Sequence, residues 1–287
     1  MSFKIPKIVW PNGPTYWEED GVLYISIPFT WNLPEVISPL KRGFRLHKKV
    51  VVGGPAVQIM PGFFSKLDFV EERSEYHGAL QRVNPLATRT TTGCIRKCRF
   101  CAIGQGLIEP GGFKELSNWP DLPVLTDNNL FVSSMEHFDK VIDRLIKWGW
   151  ADFNQGVDCR LLDEYKAGRL AEIKKPTIRL ALDSKAQKDD WRKAFDLLRS
   201  FKISKDKIRS YVLIGMDSGP EDAWERCEWI DKQGPLPLPM WFHKLDSLKA
   251  NQITPEQKAL GWTWKEYRGI MAWYYHHKDL GIRNKYI

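Results

Sequence analysis

Three of the chain's five cysteines fall within eight residues: Cys94, Cys98 and Cys101, in the stretch TTGCIRKCRFCAIGQG. Thiolates are the ligands that zinc and iron–sulfur centres select. Structural zinc closes its shell with four ligands, and a 4Fe–4S cluster has four irons, each normally held by a thiolate. Three cysteines on one loop therefore leave one position without a thiol. On a four-iron cluster the vacancy is an iron free to coordinate a substrate or cofactor. On zinc it would be filled by a histidine, His77 or His137, and the chain would be a zinc-binding, nucleic-acid-binding module. Cys159 and Cys227 stand apart, two thiols too few for a second four-cysteine cluster. An odd, clustered set argues against a disulfide scaffold and for a reducing compartment.

The elements that must hold such a loop are legible as alternation. From residue 86 onward, short β-prone runs (LATRTT, PVLTD, ADFNQ, TIRLAL, IRSYVLI and LPMWFH) alternate with amphipathic stretches. SSMEHFDKVIDRLIKWG shows a capping box from Ser133 to Glu136, apolar residues at helical spacing, and a stop at Gly149. KDDWRKAFDLLRSF places Trp191, Phe195, Leu198 and Phe201 on one side. GPEDAWERCEWIDKQG starts at Pro220 and ends at Gly234, with Cys227 on its apolar stripe. AIGQGLIEPGGFKELSNWP departs from the rule and reads as a long Gly-rich loop. Repeated strand–helix units predict a parallel sheet, either open and doubly wound or a partial barrel. In barrel-like folds the chemistry collects at the C-terminal strand ends. Small and polar residues stand there after every candidate strand, which predicts a ligand-binding rim. A zinc knuckle does not need this array, so it favours the cluster.

CIRKCRFC, with Phe100 before its last cysteine, resembles the signature loop of the radical S-adenosylmethionine (SAM) superfamily, and it follows the first strand of the array as in that family. The resemblance covers about residues 86–245 and implies an α/β fold, a partial (β/α)6 TIM-like barrel. It implies that Cys94, Cys98 and Cys101 hold a 4Fe–4S cluster whose open iron is chelated by SAM's amino and carboxylate groups. One electron would then cleave SAM to methionine and a 5′-deoxyadenosyl radical, which abstracts hydrogen from a substrate. A flavodoxin- or ferredoxin-like electron donor is the implied partner. Asp127 and Asn128 resemble an acidic pair that receives SAM's amino group. Arg160 resembles a strand-end arginine that grips its carboxylate. Asp183 and Ser184 resemble a Glu-Ser pair at the ribose, the shorter Asp being a departure. Ile214 and Gly215 resemble the fifth-strand adenine motif. Gln155 and Asp158 are further rim candidates. Cys159 is either a thiol facing the cavity or a small core residue.

Residues 1–80 form a small N-terminal α/β appendage with strands at GVLYISIPF and KKVVVGGP. VVVGGPAVQIMPGFF resembles the end of the cobalamin-binding domain of one branch of the family. The segment is short, and no Asp-x-His-x-x-Gly motif is present. A remnant that binds no cobalamin is the expectation; a cobalamin-dependent methyltransferase is the alternative. Residues 81–249 would be the barrel and 250–287 an aromatic-rich extension. There Trp264, Tyr267, Met271 and Tyr274 recur at helical spacing, as a core-facing stripe or as a base-stacking surface. His276 and His277 belong to that extension.

The chain has 287 residues, of which 43% are hydrophobic, and a net charge of +8. That supplies a substantial core and excludes global disorder. The run KRGFRLHKK, residues 41–49, is either a solvated face or an attractor of phosphates, nucleic acid or acidic substrates. RNA or DNA modification is therefore an alternative to small-molecule or peptide chemistry. No apolar run reaches the roughly 18 residues of a membrane span. MSFKIPKIVWPNGP lacks a secretory pattern, so a cytosolic protein is expected.

Overall fold

The computed structural model describes residues 10–42, 49–73 and 78–277. The centre of the basic run, His77 and the last ten residues lie outside them, as do the side chains of His276 and His277. The chain divides into two compact units: residues 1–88, 93–112 and 243–251, and residues 89–92, 113–242 and 252–287.

The first unit is built on a four-stranded sheet in the order β1 (Thr15–Glu19), β2 (Val22–Ser26), β3 (Lys49–Gly53), β4 (Val70–Glu72). The expected pair of strands corresponds to β2 and β3. β1 pairs antiparallel with β2 through the two-residue turn Asp20-Gly21, both residues having positive φ. Asp-Gly is a favoured sequence for such a hairpin. The other two pairings are parallel. α1 (Leu33–Arg42), α2 (Pro55–Ile59) and α3 (Ala79–Val83) belong to this unit. Leu23, Ile25, Ile27, Leu33, Val36, Leu40, Val50, Val52 and Phe64 make its core.

The second unit carries the strand–helix alternation. After β5 (Ala87–Thr88), which belongs to the first unit, Thr91–Thr92 (β6) and Lys114–Glu115 (β7) form a short antiparallel pair of the second. β7 lies inside the stretch read from sequence as loop; at two residues it has no periodicity to detect. Then follow β8 (Val124–Leu125), α4 (Met135–Trp148), β9 (Ala151–Phe153), α5 (Glu164–Ala171), β10 (Pro176–Ala181), α6 (Lys188–Ser200), β11 (Ile208–Ile214), α7 (Pro220–Gln233), β12 (Leu236–Trp241), α8 (Pro255–Ala259) and α9 (Trp264–Ala272). The unit's sheet has the order β12-β11-β10-β9-β8, and all of these pairings are parallel. Among the described residues no pairing closes it into a barrel. The fold is thus α/β with a parallel sheet, without a closed barrel.

Burial alternates along β11. Ile208, Ser210, Val212 and Ile214 are buried, while Arg209, Tyr211 and Leu213 are half-buried. The buried set shares a core with Ile178, Leu180 and Leu182 of the neighbouring strand, Trp191, Phe195 and Leu198 of α6, and Ala223, Cys227 and Ile230 of α7. Burying each large apolar side chain contributes about 1.5–3 kcal/mol. The Trp191 indole N–H donates to Ser210 Oγ at 2.9 Å, so neither buried polar group is unpartnered.

Three local expectations are corrected. The N-cap of α4 is Ser134, whose side chain accepts from the His137 N–H; Ser133 instead donates its hydroxyl to the Leu130 carbonyl at 2.7 Å. Adjacent serines offer the same cap chemistry, and the preceding 3-10 turn takes the first. Phe201 lies beyond the end of α6 and is 36% exposed rather than part of its buried stripe. In the extension Tyr274 is buried and Tyr267 and Met271 pack on the core, but Trp264, at the first position of α9, is 50% exposed. Among the described residues no helix is long and apolar enough to cross a membrane.

Candidate functional site

The cysteine loop starts where β6 ends. Its backbone is fixed locally: the Gly93 N–H donates to Glu109 Oε2 at 2.6 Å, Cys101 N–H to the Cys98 carbonyl at 3.1 Å, and Gln105 N–H to the Cys101 carbonyl at 3.0 Å. Gly104 presses on this turn; a Cβ there would stand 2.6 Å from the Cys98 nitrogen and 2.7 Å from its carbonyl oxygen. All three cysteines are half-buried and outside any disulfide, and the Arg96 N–H donates to Cys94 Sγ at 3.3 Å. Such donors stabilise thiolate and tune iron–sulfur centres. Phe100 is half-buried on the same loop. These residue types, three cysteines on one loop with a fitted turn and an N–H···S bond, are those a cluster held by three thiolates uses, although their side chains are not gathered around one metal position here.

Among the described residues no group of three or more His, Cys, Asp or Glu side chains could hold a metal ion. His137, one candidate fourth ligand for zinc, is buried on α4 against the Trp119 ring, 4.9 Å between centroids. Burial holds its imidazole below the usual value, against the attraction of Glu115 and Asp127.

The second unit lines up the other candidates at the C-terminal ends of its parallel strands. Asp127 follows β8 and is buried. Its Oδ1 accepts from the amides and hydroxyls of both Thr90 and Thr91. Among the described residues its buried Oδ2 has no hydrogen-bond partner. Burial raises this carboxyl above its ordinary value despite those four donors. Asn128 is half-buried beside it. After β9, Asp158 caps a 3-10 turn, Cys159–Leu161, and its carboxylate takes Arg160 in a fork: Nε to Oδ1 at 2.7 Å and Nη2 to Oδ2 at 3.1 Å. Asn129 Nδ2 reaches the same Oδ2 at 3.3 Å. Asp183, after β10, accepts from the Leu213 N–H at 3.3 Å. Burial raises its carboxyl, with Arg226 and then Arg160 opposing. Asn129, Asp158, Arg160, Asp183 and Leu213 thus form a polar row across the ends of β8 to β11.

No protein-family model matches this chain, and neither does any curated protein.

Other candidates lie at the margins of that row. Ser184 and Gln155 are exposed. Ile214 is buried, and Gly215 ends β11 with φ +79°. A Cβ on Gly215 would fall 2.6 Å from the Trp241 ring. The space left by the missing side chain is thus used by the Trp241 indole, which also packs on Trp262 and Tyr267. Cys159 packs on the core, and burial pushes its thiol up to about 12.

One positioning residue escaped the sequence. Arg226 is fully buried on α7; its Nη1 donates to the Leu182 and Leu213 carbonyls, both at 2.9 Å, while Asp222 pairs with Nε at 2.7 Å. It ties the ends of β10 and β11 and so sets the spacing of Asp183 and Gly215. The signal was an Asp222–Arg226 pair at i,i+4, which reads as a surface salt bridge unless the burial is known.

Proposed function

We propose that this protein is a radical SAM enzyme whose open parallel sheet is a partial (β/α)6 barrel. The observation that carries the reading is the loop with Cys94, Cys98 and Cys101: three half-buried cysteines outside any disulfide, an N–H···S bond, and a turn that only glycine at 104 fits. These residues would hold the cluster. When bound, a 4Fe–4S cluster with one open iron supplies the electron that cleaves SAM to methionine and a 5′-deoxyadenosyl radical, the species that takes hydrogen from the substrate.

The chain's own residues bind and orient. Asp127 Oδ2, buried and lacking a donor, suits SAM's ammonium, with Asn128 beside it. Arg160 would give its guanidinium to the carboxylate. It is 37% exposed and held in line by Asp158, which limits the rotamers it must lose on binding. Asp183 and Ser184 would meet the ribose, and the backbone at Ile214 and Gly215, rather than their side-chain positions, would border the adenine. An electron donor of flavodoxin or ferredoxin type would supply reducing power.

Anaerobic reconstitution with iron and sulfide tests the assignment. Iron and sulfide should each approach four per chain, and SAM should be cleaved under reduction. Cys98→Ala should abolish cleavage and lower iron content. Arg160→Ala should weaken SAM binding about tenfold or more while keeping the iron. Zinc without iron would overturn the reading in favour of a zinc module.

A further inference from the structure

Helices α6 and α7 pack against one face of the sheet through Ile208, Ser210, Val212 and Ile214, and pleating turns Arg209, Tyr211 and Leu213 to the other. Arg179 of β10 and Arg209 of β11 are direct register partners, so the two arginines stand side by side there. Arg179 is neutralised: Asp152 of β9 is its ion-pair partner, with Nη2 to Oδ2 at 2.9 Å, and both are buried. Arg209 is different. Among the described residues it makes no hydrogen bond and no ion pair, and it is half-buried. Tyr211, next along the same face, turns its ring under Arg179 at 5.9 Å and gives its hydroxyl to the Asn154 carbonyl at 2.6 Å. Hydrophobic Leu213, Leu236 and Leu238 occupy the neighbouring positions on this face.

Two cations and one carboxylate leave this patch with one positive charge in excess. Adjacent guanidiniums repel, and Arg179 shows it: burial lowers its pKa most, with Arg209 pushing the same way. We propose that Arg209, beside the Arg179–Asp152 pair, binds an oxyanion, a phosphoryl or carboxylate group of a small substrate. The guanidinium fork fits either group in two hydrogen bonds. Arg179 precedes Leu182, the first residue beyond its strand, by three residues. At a rise of about 3.3 Å per residue, the anion would lie about 10 Å below the strand ends. A substrate reaching both points is a small molecule with a charged tail. That the anion belongs to the substrate rests on the proposed function; that the patch binds an anion does not.

The test needs neither cluster nor SAM. Purified protein is titrated with inorganic phosphate and with acetate against chloride at matched ionic strength, following thermal midpoint and heat of binding. Wild type should bind one of the two in preference to chloride. A preference for phosphate assigns a phosphoryl tail, and one for acetate a carboxylate. Arg209→Gln should weaken that binding about tenfold or more. If Arg209→Gln does not fold, Arg209→Lys decides: charge without the fork should weaken binding several-fold. No preference over chloride in wild type, or unchanged affinity in the folded variant, overturns the proposal. Because SAM cleavage is not read, a failure here is distinct from a failure of the cluster assignment.

Discussion

Asp127 Oδ1 gathers two consecutive threonines. It accepts the Thr90 N–H at 2.7 Å and hydroxyl at 3.1 Å, and the Thr91 hydroxyl at 2.8 Å together with the Thr91 N–H. The carboxylate thus anchors the segment that leads into the cysteine loop. Four donors would lower an exposed carboxyl, yet burial outweighs them and the pKa is raised. A raised carboxyl holds its proton more tightly in the fold than in the unfolded chain. Its contribution is most favourable below the unfolded value of about 3.9 and is lost as pH rises through the folded value. Asp127→Asn keeps the acceptor and removes the charge. The variant's thermal midpoint, relative to wild type without SAM, should therefore be more favourable at about pH 7 than at about pH 4. An equal difference at both would show that Asp127 carries no such penalty.

The Trp241 ring fills the space where a side chain on Gly215 would stand. With φ at +79° and a Cβ-to-ring distance of 2.6 Å, Gly215→Ala must strain the backbone and displace a buried indole. The cost should exceed the ~1 kcal/mol of a simple left-handed glycine replacement. Gly149→Ala is the control: φ is +71°, but nothing lies within 4 Å of the added carbon. Denaturant unfolding should rank Gly215→Ala well below Gly149→Ala. Equal losses would mean that Trp241 does not stand on Gly215.

What the sequence disclosed, and what it withheld, follows from the range of each interaction. β11 spans the residues its pattern marked, because seven residues of alternation record both faces of a strand. α7 starts at Pro220 and is followed by Gly234 for the same local reason. β5 to β8 are two-residue strands, too short for any period, and β7 stayed hidden. Strand-end carboxylates were visible as residue types, but their partners were not. Neither the join of Asp127 to Thr90 nor the reach of Arg226 to Leu182 is encoded within one element. The pairing of Arg179 with Arg209 depends on sheet register, which is fixed only when the strands meet.

The five cysteines should separate chemically. Burial pushes the thiols of Cys159 and Cys227 up to about 12, whereas Cys94, Cys98 and Cys101 are half-buried on their loop. Thiolate is the nucleophile, so at about pH 8 a thiol of that kind is ionised to only about one part in ten thousand. Iodoacetamide on the native, metal-free chain should therefore alkylate the three loop cysteines and spare the other two, as read by peptide mass spectrometry. Cluster reconstitution should protect the loop as well, because iron-bound sulfur is no longer available. Labelling of Cys159 at the loop's rate would contradict its packing against the core. A loop that still reacts after iron and sulfide have been taken up would place the cluster elsewhere than on Cys94, Cys98 and Cys101.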